Sequence, residues 1–351
     1  MGAELTGNWN SFLERFSPSQ QDIYYREEYL KLYQSIDEQA VCFVYTDGNF
    51  CFLFPYLLRS FYFDGVCYHD FETAYGYGGP IFNTDNKEFI SKAWKSFYCY
   101  GQENHYIAGF VRFHPLLNNA LSFDSIGVVV KDRNTIAIDL QKDIDSVWME
   151  EIHTKNRNII KRGAKTGLRF IADYQYEYLD EFIRLYNSTM DKLSADSFYY
   201  FDDSYYYQLK KNIPDSFLGV VLLEDKVISS SIFFCSGDYG HYHLSGSDKE
   251  SLKLYPNNFM LWEAAKEMKA HGILKFHLGG GTNSDEYNSL YEFKKKFSKS
   301  FYSFQIGKIL FNKYVYDKMC RNWELNNPNK SMHYINPVSY THPEPTRPIS
   351  I

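Results

Sequence analysis

Two stretches of this chain carry the same succession of secondary-structure signals, and this repetition constrains the fold more than any other feature. In residues 41–113, two β-rich runs flank Asp47 and Gly48, and a strand, a loop, a helix and another strand follow. Asp-Gly between two alternating runs predicts a β-hairpin. Residues 217–278 repeat this order, with a polar turn at 224–226. The repetition predicts two α/β domains related by duplication, with chance similarity of two ordinary α/β stretches as the alternative.

The periodicity of apolar residues predicts the individual elements. Helices are expected at about 25–35, 87–104, 144–165, 177–192, 203–212, 257–270 and 284–297. Strands are expected at about 41–45, 50–58, 66–71, 105–113, 135–140, 168–173, 217–223, 227–235, 239–245 and 273–278, with two more strands at the end of the second domain. In the helix at 257–270, Phe259, Trp262, Ala265 and Met268 share one face, and Gly272 ends it. These elements predict an N-terminal domain over 1–143, a second domain over 144–312, and a helix with an irregular tail over 313–351.

Composition and charge exclude several classes of protein. The chain has 351 residues, 44% of them hydrophobic and 23% charged, which excludes an intrinsically disordered protein. Its net charge of −6 argues against a surface that binds nucleic acid throughout but leaves room for a local basic patch. The six cysteines have no metal-ligand spacing, so reduced thiols and no metal site are expected. With neither a signal peptide nor an apolar run near the ~18 residues that span a bilayer, we expect a cytoplasmic protein without a membrane segment.

The segment from Tyr75 to Pro80 has three glycines within four positions. Glycine permits positive φ and close approach of the backbone to a ligand. The flanking tyrosines offer rings that stack on a base or sugar, and a tight turn after a strand is the alternative. The candidate ligand-binding residues here are Tyr75, Tyr77, Gly78 and Gly79.

A second candidate is the basic segment 153–169, which contains six Lys or Arg residues and no carboxylate. Arg157, Lys161 and Lys165 are spaced one helical turn apart, so they form a cationic stripe. Such a stripe suits phosphate groups, which Arg and Lys bind through charge-assisted hydrogen bonds. A solvated helix face is the alternative.

The order of elements in the second half resembles the GNAT acyltransferase fold, in which two middle strands splay apart and the acyl donor meets the amine in the gap. In acyl-CoA-dependent members, a loop similar to Arg/Gln-x-x-Gly-x-Gly/Ala after the third meander strand holds the pyrophosphate. The corresponding junction, 246–258, has no such glycine pair. Without the resulting backbone cradle for phosphates, CoA is disfavoured as the donor.

The chain also resembles Fem-type transferases, the GNAT-related enzymes that add amino acids to peptidoglycan precursors, and especially relatives encoded with bacterial surface-polysaccharide genes. The resemblance covers about residues 25–315. It rests on the segments 75–80, 111–116, 156–167, 189–192, 243–247 and 278–280, and on Phe293-Lys294. It implies two tandem GNAT-like domains with mixed central sheets flanked by helices, and a substrate cleft between the domains.

This resemblance also implies roles for individual residues. Lys294 and Phe293 are the candidate catalytic residues: Lys294 corresponds to a lysine beside the reacting centre, where we expect it to stabilise developing negative charge as a cation. The resemblance adds Arg112, Lys192, His243 and Ser245 to the substrate-binding residues Tyr75, Tyr77, Gly78, Gly79, Arg157 and Lys161. The family's Thr-x-x-Arg becomes Thr189-x-x-Lys192 here, and Lys does not replace Arg in bidentate phosphate binding.

Three functions remain open from the sequence. The favoured one is transfer of an aminoacyl group from aminoacyl-tRNA to an amine of a phosphate-containing cell-wall or surface-glycan precursor. The second is transfer from acyl-CoA to an amino sugar nucleotide, and the third is a catalytically inactive binding relative. The donor is a co-substrate in the first two, and no bound cofactor is expected.

Overall fold

The computed structural model describes residues 2–195, 199–285 and 287–326. In this part of the chain the strands are β1 (Gly2–Thr6), β2 (Glu38–Asp47), β3 (Phe50–Phe63), β4 (Val66–Glu72), β5 (Ile81–Phe82), β6 (Tyr106–Arg112), β7 (Val128–Asp139), β8 (Leu168–Asp173), β9 (Ser216–Leu223), β10 (Lys226–Ser236), β11 (Tyr239–Ser247), β12 (Lys275–Gly279) and β13 (Phe301–Leu310). The α-helices are α1 (Asn10–Leu13), α2 (Glu27–Leu32), α3 (Lys87–Glu103), α4 (Ile144–Glu150), α5 (Thr154–Lys165), α6 (Leu179–Leu193), α7 (Asp203–Asn212), α8 (Pro256–Ala270), α9 (Ser289–Lys294) and α10 (Lys313–Asn326).

The chain forms two compact units, and both divisions fall inside strands. Among the described residues, one unit holds Gly2–Asp132 together with Ser303–Asn326, and the other holds residues between Arg133 and Tyr302. This division differs from the predicted boundary after residue 143 and the predicted tail from residue 313. The reason is strand pairing and packing: β7 pairs with β12 from residue 136 onward, whereas β13 pairs with β6 and α10 packs against β6.

The first unit contains a mixed sheet in the order β1-β2-β3-β4-β6-β13. Strands β2, β3 and β4 form an antiparallel meander, β4 and β6 are parallel, and β13 is antiparallel to β6. The predicted Asp-Gly hairpin joins β2 to β3, with Gly48 at φ 57°. Helix α3 covers this sheet through Phe89, Trp94 and Phe97.

Aromatic side chains fill the core of the first unit. The rings of Phe54 and Phe97 lie 5.1 Å apart, and that of Phe97 also packs at 5.2 Å against Phe43. Pairs of this kind add about 0.5–1.5 kcal/mol beyond the area they bury. Alternation along β2 and β3 therefore produces an aromatic layer beneath α3.

The second unit repeats the pairing pattern of the first. Its sheet has the order β7-β12-β11-β10-β9-β8, with an antiparallel β9-β10-β11 meander and parallel pairing of β11 with β12. The four residues predicted on one face of α8 all belong to the buried core: Phe259, Trp262, Ala265 and Met268. The tandem mixed α/β architecture predicted from the repetition and the family resemblance is thereby confirmed.

Several elements differ from the sequence prediction. The helix expected at 144–165 is two helices, because the chain turns at 151–153 and the amide of His153 bonds to the carbonyl of Lys296. The helix expected at 284–297 is only α9, followed by a 3-10 turn. Among the described residues, β13 is the one strand after α9, where two were predicted. The part of the predicted tail after residue 326 lies outside the described residues.

None of the helices in the described part of the chain combines the length and the hydropathy that a bilayer-spanning helix requires.

Candidate active site

Strands β11 and β12 separate in the middle of the second unit, and the candidate site is built around this fork. Their parallel pairing ends at His241 and His277, while β11 continues to Ser247 along β10. The register between β10 and β11 shifts beside the fork, so that His243 is the extra residue of a β-bulge. The resulting gap is lined by the end of β11 on one side and by the glycine turn after β12 on the other.

Lys294 lies across this fork. Its side chain is fully buried, and Nζ donates a hydrogen bond of 2.8 Å to the carbonyl oxygen of Gly280. Nζ also lies 5.7 Å from the ring centroid of Tyr242 on β11, a cation–π distance. Burial lowers the pKa of Lys294 to about 7, and the charge of Arg133 lowers it further in the same direction. A lysine with this pKa changes its protonation state near neutral pH.

The glycine turn after β12 directs two carbonyl groups toward cationic side chains. Lys294 binds the carbonyl of Gly280, and Arg133 Nη1 donates to that of Gly281 at 2.7 Å. A Cβ atom at Gly281 would lie 2.7 Å from Oδ1 of Asn288, the cap of α9. This close approach holds the start of α9 against the turn and so positions Lys294. Sequence reasoning missed Arg133 and Asn288; the run of three glycines was the available signal.

Phe293 and Lys294 have different environments although they are adjacent. Phe293 packs against Phe297 at 5.5 Å and joins the core of the second unit, so its contacts are those of a packing residue. Lys294 is the one of the two that presents a polar atom to the fork.

Ser245 and His243 contact different groups. The Oγ atom of Ser231 donates a hydrogen bond of 2.8 Å to Oγ of Ser245. Both serines also hydrogen-bond with Tyr242. Burial raises the pKa of Tyr242, although these two hydrogen bonds act to lower it. His243 Nε2 lies 3.0 Å from the hydroxyl of Tyr205, and burial lowers the pKa of His243 to about 3. A histidine with that pKa is neutral at physiological pH and is a weak base. Tyr242, which sequence reasoning did not single out, connects Ser245 to Lys294.

The cationic segment 153–169 divides into side chains that serve the fold and side chains that face outward. Arg157 donates to the carbonyl oxygens of Met149 at 3.0 Å and Ile152 at 2.6 Å, so the predicted phosphate ligand instead holds the α4–α5 junction. Lys161 is exposed, with Nζ 5.8 Å from the ring of Trp148. Lys192, at the last turn of α6, is exposed as well.

In the first unit, the predicted ligand loop is buried. Tyr75 stacks on Tyr33 at 5.8 Å, and Tyr77 packs against Phe304 at 5.3 Å. The side chain of Asn119 holds the loop by donating to the carbonyls of Gly78 at 2.8 Å and Pro80 at 3.0 Å. These contacts make the loop part of the packed interior of the unit.

Two of the glycines in this loop have positive φ. Gly79 has φ 85°, and a Cβ there would lie 2.9 Å from the ring of Phe113. Gly76 has φ 91°, and a Cβ there would lie 2.5 Å from the ring of Tyr24. Both positions therefore require glycine for conformation and for space.

Arg112, another predicted substrate ligand, is also buried and makes internal contacts. Its Nη1 atom donates to Glu72 at 3.0 Å and to the carbonyl of Thr73 at 2.7 Å, and it is 3% exposed. The neighbouring His114 accepts a hydrogen bond from the amide of Leu116 at Nδ1 and therefore donates from Nε2 to Asp22 at 2.7 Å. This buried Asp–His pair was not found from the sequence, because its members are 92 residues apart.

The connection between β11 and α8, where acyl-CoA enzymes carry a glycine loop, is built differently here. Residues Lys249–Leu254 form a 3-10 helix, Tyr255 adopts φ 60°, and Pro256 opens α8. Oδ1 of Asn257 accepts hydrogen bonds from the hydroxyls of Ser229 and Ser247, both at 2.7 Å. Side-chain hydrogen bonds thus order a turn that lacks the glycine pair.

Comparison with known proteins places this site in an acyltransferase fold. Residues 154–295 match the family described as an acetyltransferase (GNAT) domain. The matched residues include the fork, the β11–α8 connection and Lys294. No curated protein matches the chain.

Solved structures resemble the chain over nearly its whole length. FemX superimposes with a TM-score of 0.71 at 15% identity, covering 91% of this chain and 99% of FemX. L-PGS from Bacillus licheniformis gives 0.55 at 13% identity, covering 89% and 93%. A tandem GNAT protein from the clavulanic acid biosynthesis pathway gives 0.52 at 8% identity, covering 89% and 99%. At these identities, the likeness establishes the fold.

Proposed function

We propose that this chain, an acyltransferase whose residues 154–295 form a GNAT domain within a FemX-like fold, transfers an aminoacyl group from aminoacyl-tRNA to an amine of a cell-wall or surface-glycan precursor. In this reaction the amine attacks the ester carbonyl, a C–N bond forms, and the ester C–O bond breaks. The departing ribose oxygen takes up a proton, and the attacking nitrogen loses one.

The observation that carries the acyl-transfer chemistry is the burial of Lys294 at the fork. Negative charge develops on the carbonyl oxygen as the amine attacks, and a preorganised donor near that oxygen is worth about 3–4 kcal/mol. Lys294 is preorganised because its Nζ is fixed by a hydrogen bond to the carbonyl of Gly280. Its side chain is also shielded from water. Its pKa of about 7 leaves a large fraction protonated at neutral pH, so it serves as the cationic donor.

The choice of tRNA as donor carrier rests on the β11–α8 connection. A pyrophosphate needs a concave run of backbone N–H groups at the start of a helix. Here that position contains Tyr255 and Pro256, and proline contributes no N–H group. Asn257, the next residue, is held by two serine hydroxyls. These features support a donor that does not depend on this cradle.

The second candidate is transfer from acyl-CoA to an amino sugar nucleotide. It is favoured by the matched family, which is described as an acetyltransferase domain. The β11–β12 fork is compatible with either donor. The third hypothesis is a catalytically inactive binding protein. The buried position of Lys294 argues against it, because a buried lysine is costly to keep where it has no task.

Transfer assays with two labelled donors test the proposal. The chain is incubated with tRNA carrying a radiolabelled amino acid, or with radiolabelled acetyl-CoA, and with amine-bearing peptide and amino-sugar-nucleotide acceptors. We expect label to move from tRNA to the acceptor, and transfer from acetyl-CoA alone would overturn the tRNA proposal. Lys294→Met should abolish most of the transfer, whereas Lys210→Met, at an exposed position on α7 of the same unit, should retain it.

A further inference from the structure

The outward face of α5 combines with the 3-10 helix before α8 to form a cationic surface. Successive helical residues are about 100° apart, so Lys161, Arg162 and Lys165 lie opposite the buried Asn156, Ile160 and Gly163. The α5 surface, as we name it, consists of Lys155, Lys161, Arg162, Lys165 and Lys253.

Packing brings the 3-10 helix beside α5. A Cβ atom at Gly163 would lie 3.1 Å from the carbonyl oxygen of Leu254, so the two backbones are close. Lys253, which precedes that contact, is exposed and adds its charge to those of α5. A small residue at position 163 is what permits this approach.

In the part of the chain that the structure describes, ion pairs do not neutralise the cations of this surface. Among the described residues, none of the five α5-surface side chains takes part in an ion pair. Two nearby acidic groups are bound elsewhere: Glu151 accepts from Ser298, and Asp248 accepts from Ser251 and pairs with Lys226. Glu250 is the exposed carboxylate on the 3-10 helix. The local charge is therefore strongly positive in a chain whose net charge is −6.

Two of the cations are also held over aromatic rings. The guanidinium of Arg162 lies 5.2 Å from the ring centroid of Tyr255, and the ammonium of Lys161 lies 5.8 Å from that of Trp148. Such contacts reduce the freedom of long side chains while leaving their donors available. The surface thus presents oriented donors.

We propose that the α5 surface binds the phosphodiester backbone of the acceptor stem of the tRNA that carries the aminoacyl group. This inference rests on the proposed function for the choice of partner. A row of partly oriented cations that form no ion pair with any described residue matches a row of phosphates, which are bound without regard to base sequence.

Binding of an unacylated acceptor-stem RNA hairpin, measured by fluorescence anisotropy over a range of KCl concentrations, tests the surface. In Lys161→Glu/Lys165→Glu the Kd at 100 mM KCl should rise at least tenfold. The slope of log K against log salt should become shallower by about 1.5, because each lost phosphate contact removes about 0.7–0.9. The matched control is Lys210→Glu/Lys211→Glu on α7, which makes the same charge change at exposed positions and should keep Kd within twofold.

Three other outcomes would contradict the proposed role of the α5 surface. Equal Kd values for the two double variants would overturn the surface while leaving tRNA as the donor. Failure of the unsubstituted protein to bind the hairpin would overturn the surface, and the proposed function too if acetyl-CoA serves as donor in the transfer assay. If Lys161→Glu/Lys165→Glu lost binding to phosphatidylglycerol-containing vesicles but bound the RNA hairpin unchanged, the surface would be assigned to a lipid headgroup instead. Melting temperatures verify that both double variants are folded.

Discussion

The Nζ atom of Lys294 is fixed to the carbonyl oxygen of Gly280 by a hydrogen bond of 2.8 Å across the fork between β11 and β12. This contact joins the end of α9 to the turn after β12, two segments that lie within the residues matching the GNAT domain family and that Asn288 also holds together. The lysine is also buried away from water, and this burial lowers its pKa to about 7, while the hydrogen bond fixes the position of Nζ.

Replacing this lysine should affect turnover far more than binding. We expect Lys294→Met to lower the single-turnover rate about 10²–10³-fold with nearly unchanged substrate affinity, because the lost donor acts on charge that develops only in the transition state. The rates are measured against Lys210→Met as the control. Equal rates in the two variants would remove Lys294 from the chemistry.

The pH dependence of stability provides a separate test of its environment. The pKa of Lys294 is about 7 in the folded protein and near 10.4 in an unfolded chain, so the unfolded state binds the extra proton between these values. The free energy of unfolding should therefore rise with pH from about 7 to about 10, by at most about 1.4 kcal/mol per pH unit.

Lys294→Met should lack this rise. The difference in unfolding free energy between the unsubstituted protein and the variant, measured by urea titration at pH 7, 8 and 9, should grow in favour of the unsubstituted protein. A difference independent of pH would mean that Lys294 retains an ordinary pKa.

Arg157 should matter for stability and Lys161 should not. Arg157→Ala removes charge-assisted hydrogen bonds to two backbone carbonyls at the α4–α5 junction, and we expect a loss of about 2–3 kcal/mol. Lys161→Ala, one turn later at an exposed position, should stay within about 0.5 kcal/mol. Urea denaturation compares the two, and similar losses would contradict the structural role of Arg157.

Substitutions at two glycines distinguish the cost of backbone strain from the cost of steric overlap. Both Gly76 and Gly167 have positive φ, but a Cβ at Gly76 would lie 2.5 Å from Tyr24, whereas none of the described atoms lies within 4 Å of one at Gly167. Gly167→Ala should cost about 1 kcal/mol from strain alone, and Gly76→Ala about 1–3 kcal/mol more from overpacking. Thermal denaturation measures both, and equal losses would show that the space around Gly76 relaxes.

Local sequence signals predicted those elements whose formation depends on neighbours along the chain. The spacing of Phe259, Trp262, Ala265 and Met268 predicted the buried face of α8, and the Asp-Gly pair predicted the first hairpin. The end of α9 was not predictable in this way. Asn288 begins that helix by accepting hydrogen bonds from the amides of Leu290 and Tyr291, and its place against Gly281 depends on the turn after β12.

The sequence by itself determined the tandem α/β architecture, the absence of a glycine pair before α8 and the choice of Lys294 as the residue to test. The tertiary structure decided what each charged side chain does. Arg112 and Arg157 were placed with the substrate ligands, yet they bind Glu72 and backbone carbonyls, whereas Lys155 and Arg162 remain exposed. The physical reason is that charge and spacing along the chain specify which face of an element a residue occupies, but only packing between distant segments specifies the partner that this face meets.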